Sequence, residues 1–244
     1  MPPRITKHKY KYNTNKIIRI HNDDKDTGWM EKWKEGDSLA RIPHPFRICS
    51  LGNCGRGKTN TVKNIILSHQ GSDKPFKRLY ILCSDAENSK EWNDMDPTEI
   101  FDEVPNPDMF DGSEKTVMVV DDFELVKLDK NSLKDLVTIF RFCSTHRNLS
   151  LILNYQSFFD CPAIFRKLAN VFIIYKPNSL QEIKSISNRV GVDHNIIKDV
   201  FKNVCTNYHD SFMIDLTKNT PCKLRKNVFD RLDDNYEESS ESDE

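Results

Sequence analysis

Gly52-Asn53-Cys54-Gly55-Arg56-Gly57-Lys58-Thr59 spells a complete G-x-x-x-x-G-K-T. Its surroundings fit the pattern. The short apolar run Phe46–Leu51 precedes it, and Thr59–His69 follows with Val62, Ile65, Ile66 and His69 on one helical face. Glycines at these positions let the backbone wrap closely enough for its N–H groups to face phosphate oxygens, and a helix N-terminus adds a favourable dipole. The sequence therefore predicts a phosphate loop over Gly52, Asn53, Cys54, Gly55, Arg56, Gly57, Lys58, Thr59 and Asn60. Lys58 would neutralise the β- and γ-phosphates of ATP, and Thr59 would give its hydroxyl to Mg²⁺.

Downstream, Val117-Met118-Val119-Val120-Asp121-Asp122 reads as a buried strand closed by two acids. A carboxylate at the C-terminal edge of such a strand can hold Mg²⁺, a role assigned to Asp121. The second acid, Asp122, can orient and deprotonate the attacking water, with Glu124 a remote substitute. A whole strand, Leu79–Cys83, separates the two motifs in sequence. That order is expected of P-loop ATPases of the additional-strand type, in which another strand is inserted between the motif strands, and it argues against small-molecule kinases. Leu149–Leu153 and Val171–Tyr175 complete a set of continuous apolar strands alternating with helices, the pattern of a mainly parallel α/β sheet covered on both faces. The fourth strand runs into Asn154-Tyr155-Gln156, and Gln156 is placed to sense the γ-phosphate or the attacking water.

These stretches, together with Thr145-His146-Arg147-Asn148-Leu149-Ser150 and Ser157-Phe158-Phe159-Asp160-Cys161-Pro162, resemble the poxvirus-type genome-packaging ATPases of the FtsK–HerA superfamily, in a virophage-like version. The resemblance covers roughly residues 44–178. It implies an ATP-driven ring of copies of the chain that moves double-stranded DNA into a preformed capsid, through a capsid or portal-vertex component. It also implies work in the host cytoplasm, at the viral factory, and a place in the virion. Many relatives carry Asp-Glu where this chain has Asp121-Asp122. Arg147 falls in the lead-in to the fourth strand, where it would serve a neighbouring subunit's γ-phosphate, with Arg141 and Arg166 in reserve. Two other readings share the phosphate loop: a nucleoside or nucleotide kinase, and a nucleotide-switched assembly factor.

Composition sets the remaining bounds. The chain has 244 residues, 37% hydrophobic and 30% charged, with a formal net charge of −1. This excludes collagen-like, coiled-coil and wholly disordered classes, as well as a uniformly basic nucleic-acid binder. Charge is nonetheless polarised: residues 1–20 hold six basic residues and no acid, and residues 230–244 hold eight acids against Arg231. Four segments are expected: a basic arm (1–45), the ATPase core (46–178), C-terminal helices and a hairpin (179–232), and an acidic tail (233–244). In the arm, Ile17–Ile20 reads as a short strand, and Trp29 and Trp33, at helical spacing, are expected to dock the arm on the body, the alternative being stacking on bases. Seven cysteines form no C-x-x-C pair, which points to a reducing compartment without structural zinc. No apolar stretch approaches the roughly 18 residues of a membrane span, so no membrane partner is expected.

Finer local expectations are a helical turn near Pro97–Val104, a helix capped by Asn131 or Ser132 with Leu133, Leu136, Val137 and Phe140 inward, and a short helix from Pro162 to Leu168. Two more helices follow, near Leu180–Arg189 and His194–Val204, and then a hairpin over Phe212–Leu224 that turns at Asn219-Thr220-Pro221.

Overall fold

The structure is a computed structural model that describes residues 42–70, 75–86, 90–217 and 223–232. The basic arm with its strand and Trp pair, the acidic tail and the turn at Asn219-Thr220-Pro221 lie outside the described residues.

Among the described residues, nine strands form one sheet: β1 (Arg47–Leu51), β2 (Arg78–Cys83), β3 (Glu99–Phe101), β4 (Thr116–Asp121), β5 (Leu149–Tyr155), β6 (Val171–Tyr175), β7 (Ser211–Asp215), β8 (Leu224–Lys226) and β9 (Asp230–Arg231). Their order across the sheet is β3-β2-β4-β5-β1-β6-β7-β8-β9. The first six positions pair in parallel, and β7, β8 and β9 continue the sheet antiparallel. The C-terminal hairpin is thus an extension of the central sheet. The strand that separates β1 from β4 in space is β5, which comes after both in sequence. The earlier strand β2 lies on the far side of β4, so the additional-strand architecture holds while the inserted strand is a different one.

Successive residues of the parallel strands enter two apolar cores, as strand geometry requires. Met118, Val120, Leu151, Leu153, Phe172 and Ile174 face one core. Val117, Val119, Ile152, Val171 and Ile173 face the other. The first core is closed by α2 (Lys130–Thr138), a π-helical turn at Ile139–Cys143 that runs into the short α3 (Ser144–His146), and by α4 (Ala163–Leu168), α5 (Leu180–Val190) and α6 (His194–Asn203), with α3 itself outside the core. They contribute Leu136, Phe140, Phe165, Ile186, Ile197 and Val200. The second core is closed by α1 (Lys58–Gln70), through Val62, Ile65 and Ile66, and by Trp92. Burial on both faces explains why these strands read as continuous apolar runs. Among the described residues no helix is long and apolar enough to cross a membrane.

Two local expectations are corrected. The stretch near Pro97–Val104 holds β3, not a helical turn: Glu99, Ile100 and Phe101 pair with Tyr80, Ile81 and Leu82, and Thr98 N donates to Leu79 O at 2.7 Å. The outer edge of β2 offers unpaired backbone groups that a strand satisfies and an isolated helical turn does not. The cap of α2 is Asp129 rather than Asn131 or Ser132. Its carboxylate accepts from both Asn131 N (2.7 Å) and Ser132 N (3.2 Å), and a carboxylate also favours the positive end of the helix dipole.

Candidate active site

Every parallel strand ends at the same edge of the sheet, and the predicted phosphate loop connects β1 to α1 there. Gly52 N donates to Tyr155 O at 3.0 Å, which seats the start of the loop on the end of β5. A Cβ on Gly52 would lie 2.5 Å from Tyr175 Cβ, so only glycine lets β1 pass that ring. The Tyr175 hydroxyl donates to Thr61 Oγ1 at 2.6 Å, and burial pushes it up to about 12. Gly57 has φ +91, a left-handed conformation that leads into α1. Asn53 and Asn178, just beyond β6, exchange amide hydrogen bonds of 2.7 and 2.8 Å.

Lys58 is buried, and its ammonium group donates to Gly52 O (2.7 Å) and Asn53 O (3.2 Å). The cation therefore lies inside the curl of the loop. Thr59, the second residue of α1, donates to Asp121 Oδ2 at 3.3 Å. Asp121 pairs in register with Asn154 across β4 and β5, and Asn154 Nδ2 donates to Asp121 Oδ1 at 2.9 Å. The indole N–H of Trp92 donates to Asp121 Oδ2 at 3.1 Å. One buried carboxylate thus receives donors from α1, β5 and the 3₁₀ segment Lys90–Met95. The pairing of Thr59 and Asp121 fits Mg²⁺: both are hard oxygen donors close together, and such an ion takes only one or two protein ligands beside substrate phosphates.

Asp122 follows directly, with φ 45. Asp tolerates this left-handed conformation better than most residues, and it turns the chain sharply off the sheet edge. Burial raises its carboxyl above the ordinary carboxylate range; Lys58 opposes this and the charge of Asp121 adds to it. Glu91 is raised in the same direction, first by burial and then by Asp121 and Asp122, against Lys63. It is a third acid that shares the field of this site.

Asp122, Glu124, Lys127, Tyr155, Gln156 and Asp160 help line a groove of about 590 Å³ along the sheet edge. Gln156 is exposed there. The segment after it is anchored by Glu182, whose buried carboxylate accepts from Phe158 N (2.8 Å) and Asn178 N (3.0 Å). Through Asn178 and Asn53, that carboxylate also links the Gln156 segment to the phosphate loop.

The structure brings together the loop residues, Lys58, Thr59, Asp121, Asp122 and Gln156. It does not bring Arg147 to them. Arg147 precedes β5, so the length of that strand, roughly 20 Å at ~3.3 Å per residue, separates it from this edge. Its guanidinium donates to Pro107 O at 2.8 Å, lies 3.4 Å from Asp108, and stacks over Phe142. Arg141 is exposed in the π-helical turn, and Arg166 stacks over Phe158.

Trp92, Asn154 and Glu91 were not marked as site residues by the motifs. A lone Trp in a polar, acidic stretch was the available signal, since its ring needs a core and its N–H a partner.

No family model and no curated protein matches the chain. Solved structures do share its fold. The genome packaging NTPase B204 from Sulfolobus turreted icosahedral virus 2, in complex with ATPγS, has a TM-score of 0.51 at 15% identity, over 75% of this chain and 96% of its own. B204 from Sulfolobus turreted icosahedral virus, a DNA-packaging ATPase, has a TM-score of 0.51 at 16% identity, over 75% and 97%. The pCW3 conjugation coupling protein TcpA in complex with ATPγS has a TM-score of 0.50 at 12% identity, over 80% of this chain and 61% of its own. At such identities the likeness is one of fold: an additional-strand P-loop NTPase sheet shared with packaging and coupling proteins.

Proposed function

We propose that this chain is an ATP-hydrolysing motor that acts on double-stranded DNA as a ring of its own copies, and that it packages a viral genome into a preformed capsid. One observation carries the hydrolytic part of this reading. Thr59, Asp121 and Asn154 are joined by hydrogen bonds beside a buried Lys58, with Asp122 and Gln156 on the adjoining groove. That constellation has a cation for the phosphates, oxygens for a metal, an acid to act on water and an amide to sense the outcome. The DNA part is supported by the fold shared with B204 and TcpA and by the resemblance of the motifs to packaging ATPases.

In this mechanism Lys58 exchanges the Gly52 and Asn53 carbonyls for β- and γ-phosphate oxygens. Thr59 and Asp121 would hold Mg²⁺, which would supply charge neutralisation for the phosphates. Asp122 accepts a proton from the attacking water, and Gln156 donates to the γ-phosphate or to that water. Asn154 and Trp92 orient Asp121. Arg147 can act on such a site only from a neighbouring subunit that turns its opposite sheet edge toward this one. Sustained turnover separates the reading from a nucleotide-switched assembly factor, and the phosphoryl acceptor separates it from a kinase.

The expected result is steady ATP hydrolysis by the purified oligomer, with release of inorganic phosphate, accelerated several-fold by double-stranded DNA. The acceleration should fade as salt rises, because counterion release opposes phosphate contacts. A phosphorylated nucleoside or nucleotide as product, with no response to DNA, would replace the motor by a kinase.

A further inference from the structure

We propose that Tyr208, held by Arg56, is the platform on which the purine base of the nucleotide stacks, at the end of the phosphate loop away from Asp121. This assignment rests on the reading of the loop as an ATP site and extends it to the base. The argument begins with topology. β7 runs antiparallel to β6 and pairs Ser211 with Tyr175. The connection from α6 into β7 must therefore arrive at the edge where the parallel strands end. It brings Tyr208 and His209 against the phosphate loop. A Cβ on Gly55 would lie 3.9 Å from the Tyr208 hydroxyl oxygen, and one on Gly57 would lie 3.6 Å from His209 Nδ1.

The polarity of the site follows from strand order. Asp121 ends β4 and Asp122 follows it, on the β5 side of β1, whereas this connection lies on the β6–β7 side. A nucleoside triphosphate whose γ-phosphate faces the acids must leave the loop toward the β6–β7 side with its base. A flat, exposed ring stands there. Tyr208 keeps 58% of its surface open. The Arg56 guanidinium sits 3.9 Å from its ring centroid and donates to Tyr208 O at 2.8 Å. One face of the ring is thus covered by a residue of the phosphate loop itself, and the ring is tied to the segment that wraps the phosphates. His209 meets the ring edge-on at 5.1 Å and 86°.

The platform is also built firmly, as a preorganised contact requires. Asp210, next to His209, is buried and accepts from Asn207 N (3.0 Å), Asn227 Nδ2 (3.1 Å) and the Lys226 ammonium (2.9 Å). Burial alone would raise its carboxyl, but these donors outweigh burial and hold it below the ordinary range. An exposed tyrosine on so well-tied a turn, backed on one face by a loop arginine, presents a π-face to an aromatic ligand. Stacking reads the face of a base rather than its edges, so the larger purine ring gains most.

The test compares binding of a non-hydrolysable ATP analogue with binding of inorganic tripolyphosphate, by calorimetry, on the full chain. Tyr208→Ala should weaken the ATP analogue about 5- to 150-fold, the range of one lost base–aromatic stack. Tyr208→Phe should bind it like the parent, and tripolyphosphate should bind all three proteins equally. Unchanged affinity of Tyr208→Ala for the ATP analogue overturns the proposal. So does an equal loss of tripolyphosphate binding, which would make the ring a prop for the loop. If the folded parent binds neither ligand, the ATP reading itself has failed and takes this assignment with it.

Discussion

Lys58→Ala should abolish ATP turnover while the protein keeps its fold. The side chain is buried, and its only hydrogen bonds among those described are to carbonyls of its own loop, Gly52 and Asn53. Nothing in either apolar core depends on it. Its loss removes a unit positive charge that sits about 4 Å from the phosphates during the reaction, worth about 4 kcal/mol at an effective dielectric constant of ~20. On the transition-state scale that is roughly a thousand-fold in rate. A phosphate-release assay beside a thermal melt checks both halves. Native turnover by a correctly folded Lys58→Ala protein would remove the loop from the mechanism.

Asp122→Asn should bind ATP as the parent does and hydrolyse it roughly 10²- to 10⁴-fold more slowly, the usual span for loss of a general base. Asp121→Asn should differ, by losing Mg²⁺-dependent binding, because Asp121 and not Asp122 touches Thr59. The pH profile carries a sign. A base must be ionised, and burial raises the Asp122 carboxyl. As pH falls through that raised value the carboxylate is lost, so the acid limb of kcat/KM, which reports the free enzyme, should begin above the ordinary carboxylate range and be absent from Asp122→Asn. If Asp122→Asn turns over at the native rate, the base is Glu91, which feels both Asp121 and Asp122, or Glu124 on the groove.

What the sequence disclosed and what it hid follow from the range of the interactions. The phosphate loop, the two acids and Gln156 were legible because each is a local signature at the end of an apolar run. The β5 insertion was legible only as an architecture: which strand separates β1 from β4 is decided by pairing across the sheet, and β2 was the wrong choice. β3 escaped because Glu99-Ile100-Phe101 is a strand only by virtue of β2's free edge. Asp129 was passed over as a cap because neighbouring Asn131 and Ser132 carry the same chemistry. Trp92 and Asn154 reach Asp121 from 29 and 33 residues away, and no spacing rule links them. Tyr208 meets the phosphate loop only because an antiparallel strand returns to that edge.

Triplex displacement on linear double-stranded DNA tests the motor most directly, since a third strand is released only when a protein travels along the duplex. The account predicts displacement by the parent protein with ATP and Mg²⁺, and none with a non-hydrolysable analogue or with Lys58→Ala. Steady ATP hydrolysis with the third strand left in place, or displacement that needs no ATP, would contradict it.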